Sequence, residues 1–164
     1  MRVQLLAVGR LKAGPERELV ERYRSRADAM ARGAGIAAFT LVELPEGRER
    51  HPPERQATES AALLGRVGPS RFIAFDERGT SVPSERFAGE IGRWRDAGHS
   101  LALAIGGPDG LAESVRSRAD LVLSFGALTL PHGLVRVLVV EQFYRALTIL
   151  SGHPYHRGEP GRDG

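Results

Sequence analysis

Apolar residues recur along this chain at two periods in turn, every second position and then every third or fourth. That is the pattern of strands alternating with helices. Arg2–Val8 predicts a first strand. Pro15 then presets the opening of a helix, with Glu16 and Glu18 in its first turn and an apolar stripe of Leu19, Tyr23, Ala27 and Met30. Ile36–Leu44 is rich in β formers and predicts a second strand, followed by a charged loop over Pro45–His51. Pro52 and Pro53 open a helix carrying Ala57, Ala61 and Leu64 that stops near Gly68 and Pro69. Arg71–Phe75 predicts a short buried strand and Asp76–Pro83 a turn. Ser84 is read as the cap of a helix with Phe87, Ile91 and Trp94 on one face, ended by Gly98. Leu101–Ile105 is apolar almost without a break, as a parallel strand covered on both faces requires. A short helix over Leu111–Arg118, a last strand over Leu121–Phe125 and a long helix over Leu134–Leu150 complete the pattern. The alternation predicts an α/β fold with a mainly parallel sheet flanked by helices.

The last helix is apolar all round. Leu134, Val135, Val137, Leu138, Val139, Val140, Phe143, Leu147, Ile149 and Leu150 surround its axis, which marks a helix buried from several directions. One sheet in a chain of 164 residues does not cover every side, so a second copy is expected to cover the rest and the protein is expected to be a homodimer. Glu141, Arg145 and Thr148 are the polar exceptions, on one stripe. Glu141 and Arg145 stand at the i,i+4 spacing of an ion pair, read as structural ahead of catalytic.

Length sets one domain with one core, assigned to residues 1–157, with Gly158–Gly164 expected to be a disordered tail. No apolar run is long enough to span a membrane, and the first nine residues are too short for a signal-peptide core. The absence of cysteine excludes disulfides, Cys-ligated zinc and iron–sulfur sites and fits a cytoplasmic protein. The cations are arginines apart from Lys12, and arginine suits phosphates and stacked bases. A net charge of +3 is small beside that of nucleic-acid binders, so charge alone favours a solvated surface.

Chemistry concentrates late in the chain. Gly106-Gly107-Pro108-Asp109-Gly110 lies between a strand and a helix, where glycines admit a ligand to the backbone and ligands of open α/β sheets bind. A plain tight turn explains it equally well, and it is neither a P-loop nor GxGxxG. Gly126-Ala127-Leu128-Thr129-Leu130-Pro131 also joins a strand to a helix. With little charge, it offers main-chain groups and apolar walls that suit an adenine edge and a thioether better than a triphosphate. His153-Pro154-Tyr155-His156-Arg157 reads either as a tail packed on the surface or as a base-handling strip. In the second reading Tyr155 stacks, Arg157 binds phosphate and His156 exchanges protons near neutral pH. No metal site is expected, because the two histidines lack a third ligand pattern.

On these pieces, together with Ala7-Val8-Gly9, Leu134-Val135-Arg136-Val137-Leu138 and Glu141-Gln142-Phe143-Tyr144-Arg145-Ala146, the chain resembles the ribosomal RNA large subunit methyltransferase H family of the SPOUT superfamily. The resemblance runs from residue 1 to about residue 157 and is most specific in the C-terminal third. It implies a deep C-terminal trefoil knot, a homodimer and S-adenosylmethionine as cofactor. The implied reaction is methylation at N3 of a pseudouridine in helix 69 of 23S rRNA, with the assembled ribosome as substrate. Implied cofactor contacts are Phe75, Gly106, Gly107, Gly126, Ala127, Leu128, Thr129, Leu130 and Pro131. N3 of the ring carries a proton that must leave, which makes His156 the candidate base, Tyr155 the second candidate and Arg157 a stabiliser of charge on the ring. Arg10, Lys12, Arg48, Arg50, Arg55 and His153 are the expected RNA contacts. Two rival readings are a SPOUT enzyme acting on tRNA and a dimeric RNA-binding protein without catalysis.

Overall fold

The structure, a computed structural model, describes residues 1–153 and Tyr155. His156, Arg157 and the segment 158–164 lie outside the described residues. The elements are β1 (Arg2–Val8), α1 (Pro15–Ala31), β2 (Ala38–Leu44), α2 (Pro52–Val67) and β3 (Arg71–Thr80), then α3 (Ser84–Asp96), β4 (Leu101–Ile105), α4 (Glu113–Arg118), β5 (Leu121–Leu123) and α5 (His132–Leu150). The five strands form one sheet in the order β2-β1-β4-β3-β5, every neighbour parallel. All carboxyl ends therefore point to one edge. No helix among the described residues is long and apolar enough to cross a membrane.

The two faces of the sheet are packed differently. On β4, Leu101, Leu103 and Ile105 face α1, α3 and α5, whereas Ala102 and Ala104 face the α2 side. Ile73 and Phe75 of β3 join the first layer, Phe72 and Ala74 the second. Period-two alternation on strands buried on both faces thus assigns a thick three-helix layer to one side and a thin layer of α2 and α4 to the other.

Several expectations shift in the structure. β3 continues through Asp76–Thr80, expected as part of a turn, and pairs again with β5 at Thr80 after a break in register. Gly79 permits this: a Cβ there would lie 2.6 Å from the Val122 carbonyl oxygen. Ser84 does not cap α3. Pro83 holds the cap position, and the Ser84 hydroxyl instead donates to Gln142 Oε1 on α5 at 2.7 Å. β2 starts at Ala38 because Ile36 is still tied to α1, its N–H donating to Ala31 at 2.8 Å. α4 starts at Glu113 because the extended Ala112 donates its N–H to the Ser60 hydroxyl. β5 stops at Leu123, before Phe125, and α5 starts two residues early, behind Pro131.

α5 explains its own composition. α1, α3 and the sheet bury Val137, Val139, Val140, Phe143, Ala146 and Leu147 within one chain. Thr148, expected on the polar stripe, is fully buried and donates back to the Arg145 carbonyl at 2.7 Å. The outward stripe is Leu134, Leu138, Glu141, Arg145 and Ile149, with Leu134 exposed and the others half-buried.

Candidate functional site

At the carboxyl ends of β3, β4 and β5 the loops part to leave a cavity of about 310 Å³. Its floor is Phe75, Ile105 and Leu123; its rims are Gly106–Leu111 and the segment from Ser124 to Leu130, closed by His132 and Val135 of α5. Phe125 stacks on Phe75 with ring centroids 5.4 Å apart and planes 4° from parallel, so one wall is a flat aromatic surface. The segment after β5 is held by Ser124, whose hydroxyl donates to the Gly126 carbonyl at 2.8 Å and accepts its N–H at 3.1 Å. Gly126 has φ of +129°, a conformation few side chains tolerate. Asp76 and Arg116 form a half-enclosed ion pair at 3.3 Å on the cavity wall, and Arg116 also donates to the Leu111 carbonyl.

The glycine loop is shaped by α2. A Cβ on Gly106 would lie 2.8 Å from the Gly110 carbonyl, and one on Gly107 would lie 2.8 Å from Glu59 Oε2 and 3.0 Å from Val8 Cγ1. Gln56 Nε2 donates to the Asp109 and Leu111 carbonyls at 2.8 and 3.3 Å. Arg55 grips the Asp109 carboxylate with Nε and Nη2 at 2.9 and 3.2 Å, and this pairing holds the guanidinium above its ordinary pKa. Burial pushes the Glu59 carboxyl up, with Asp109 and Glu46 adding to the rise and the Gly47 N–H and Arg55 opposing it.

A family model described as "Predicted SPOUT methyltransferase" matches residues 1–156. A "Ribosomal RNA large subunit methyltransferase H" from Methylobacterium nodulans is 60% identical, covering 98% of this chain and 100% of its own. One from Bradyrhizobium sp. is 50% identical, over 96% and 98%. The chain belongs to the SPOUT methyltransferases, in the ribosomal RNA large subunit methyltransferase H family. Among solved structures, a "Probable Methyltransferase" from Bordetella pertussis matches with 20% identity over 88% of this chain and 93% of that one, with a TM-score of 0.49.

Within this SPOUT domain the residues expected from sequence fall into three groups. Phe75, Gly106, Gly107, Gly126, Leu128, Thr129 and Leu130 all line the cavity; Ala127 and Pro131 belong to the same segment but not to the lining. Arg10, Lys12, Arg48 and Arg50 are exposed on the loops after β1 and β2, along the same carboxyl edge. Arg55 is half-buried and occupied by Asp109 and two main-chain carbonyls. Of the tail group, His153 and Tyr155 are among the described residues and neither lines the cavity. Tyr155 packs on Tyr144, sits under the Arg145 guanidinium at 5.0 Å, and donates to Glu141 Oε1 at 3.2 Å. Burial, then Glu141 and Tyr23, push its phenol up to about 12, so it keeps its proton at neutral pH. Glu141 and Arg145 form the expected pair at 2.8 Å. His153 is exposed, and its Nδ1 accepts the Tyr155 N–H at 3.3 Å.

Sequence reasoning passed over Asp76, Arg116, Ser124, Phe125, Gln56 and His132, all of which line the cavity. Two carried a usable signal. Asp76 directly follows the apolar run of β3, and Phe125 stands two residues past the end of β5, where ligands of parallel sheets collect. Gln56 and Arg116 meet the site only through the packing of α2 and α4 and carried none.

Proposed function

We propose that this chain is an S-adenosylmethionine-dependent methyltransferase of 23S rRNA, acting at N3 of the helix 69 pseudouridine on assembled ribosomes. The observation that carries the reading is the cavity between Gly106–Leu111 and Ser124–Leu130, in a chain 60% identical over its length to proteins of that name. Its volume and mixed lining suit a small nucleoside ligand. The Phe75–Phe125 wall offers a flat face to an adenine, and Gly106 and Gly107 line the cavity, their lack of side chains letting the loop close against Gly110, Glu59 and Val8. When bound, S-adenosylmethionine supplies a sulfonium methyl and leaves as the neutral thioether.

The protein's share of the work is alignment of the base with that methyl, together with removal of the N3 proton. His156 takes the proton and Arg157 steadies the charge left on the ring. Tyr155, with its phenol protonated at neutral pH, acts as a donor and a packing surface and not as the base. It bonds to Glu141, nine residues along α5 from the His132 at the cavity, a helix rise of about 14 Å. Tyr155 is therefore held well along α5 from that end of the cavity. A homodimer packed on the outward stripe of α5 brings the tail of one copy to the cavity of the other. The reading includes a cytoplasmic protein, one SPOUT domain over 1–157 and a deep knot formed as α5 returns from the β5 edge to β1. The bonds from Arg136 to the Val8 and Gly9 carbonyls, at 3.2 and 2.9 Å, support that return.

The test is methyl transfer from labelled S-adenosylmethionine to ribosomes lacking the modification, beside free large subunits, naked 23S rRNA and tRNA, with the product mapped by mass spectrometry. Label at the helix 69 pseudouridine on assembled ribosomes is expected. Label on tRNA would assign a different substrate, and no label with no cofactor binding would leave an RNA-binding module. His156→Ala with full turnover at every pH would remove the base role.

A further inference from the structure

Two loops with different tasks share one clamp. A guanidinium is a planar fork whose five N–H donors keep fixed relative directions. In Arg55, Nε and Nη2 hold both carboxylate oxygens of Asp109, while Nη1 holds the Glu49 and Arg50 carbonyls at 3.0 and 3.2 Å. One rigid group thus binds the loop that displays Arg48 and Arg50 to the loop that contains Gly106 and Gly107. One turn further along α2, Glu59 bonds the first loop and abuts the second. Glu59 Oε1 accepts the Gly47 N–H at 2.8 Å, and Oε2 is buried without a partner against Gly107. Thr58, between them, donates to Glu49 Oε1 at 2.7 Å. Neither loop moves without breaking bonds to the same helix turn.

We propose that Arg55 is a positioning residue that couples RNA binding to cofactor binding: through Asp109, seating the loop 45–51 on RNA seats the cofactor loop 106–110, and the reverse. This rests on the cofactor and RNA reading given above. Order imposed on one loop by its ligand is shared with the other, so the second ligand meets a loop already fixed. Thermodynamic reciprocity then requires each ligand to tighten the other by the same factor, about tenfold for a coupling of ordinary size. Arg55 as a simple phosphate contact, the role expected from sequence, would give Asp109 no part in RNA binding.

Equilibrium dialysis of labelled S-adenosylhomocysteine against the full-length protein, with and without saturating unmodified ribosomes, measures the coupling. For the wild type the ribosome is expected to tighten binding about tenfold. In Arg55→Lys, which keeps the charge and loses the fork, and in Asp109→Asn, the tightening is expected to fall below about twofold. The double variant is expected to fall no further, because both changes break one bridge. Wild-type protein that binds both ligands without tightening overturns the proposal and needs no variant to show it; Asp109→Asn with full tightening overturns it too. Wild-type protein that binds no S-adenosylhomocysteine under either condition overturns the cofactor reading, and the coupling with it.

Discussion

Gly107 is closely constrained in the loop after β4, since both Glu59 and Val8 occupy the space a side chain would need. Gly107→Ala is expected to weaken S-adenosylhomocysteine binding at least tenfold and to cost about 1–3 kcal/mol of stability. Dialysis and urea unfolding check the two effects; an unchanged affinity would remove the loop from the site. Glu59 adds a pH signature. Its folded pKa is raised, chiefly by burial, so the folded state holds this proton more tightly than the unfolded chain. Its stabilising contribution is complete below the ordinary value of 4.5 and is lost as pH rises through the folded value. Glu59→Gln, which keeps an acceptor for Gly47 and cannot ionise, is expected to gain stability relative to wild type between pH 5 and pH 8. Parallel unfolding curves at the two pH values would contradict this. The legibility of these residues follows from where their surroundings come from. Phe75 and the glycines sit at the ends of apolar runs and announce themselves. Glu59 lies in Thr58-Glu59-Ser60, a polar triplet on a helix, and only the closure of two distant loops over α2 buries it.

At the scale of elements, the sequence periods located the helices and strands of the described residues and misjudged mainly their ends. Asp76–Thr80 reads as a turn because its side chains are polar, yet it stays extended at the sheet margin, where polar groups reach solvent and Gly79 lets β5 approach. The apolar girth of α5 was visible; the buried cation inside it was not. Arg136 is fully buried, pairs with Glu43 of β2, and donates to the Val8 and Gly9 carbonyls, so it fixes the first turns of α5 over the end of β1. Arg136→Met fills the space but takes the guanidinium from the buried Val8 and Gly9 carbonyls, while the exposed Glu43 keeps the Leu11 N–H. The expected loss is about 1–3 kcal/mol, read from chemical denaturation; no loss would mean that packing alone seats this helix.

For the molecule as a whole, the proposed homodimer makes the outward stripe of α5 the element to test. Leu138→Arg, at the middle of the outward stripe of α5, is expected to yield a monomer in sedimentation velocity. That monomer keeps S-adenosylhomocysteine binding within about threefold, because the cavity belongs to one chain, and loses methyl transfer. A variant that stays dimeric would move the interface elsewhere. The strand order has a separate consequence. In the sheet, β1 and β2 meet β3 and β5 solely through β4, the fourth strand in sequence and the centre in space. A chain emerging from the exit tunnel therefore presents β1, β2 and β3 before the strand that joins them. Until Ile105 has cleared the tunnel, the backbones of Val3–Ala7 and Arg71–Phe75 are unpaired edges, open to pairing with other nascent chains. Synthesis is therefore a stage at which these edges are expected to be open to aggregation, for as long as translation from β3 to Ile105 lasts.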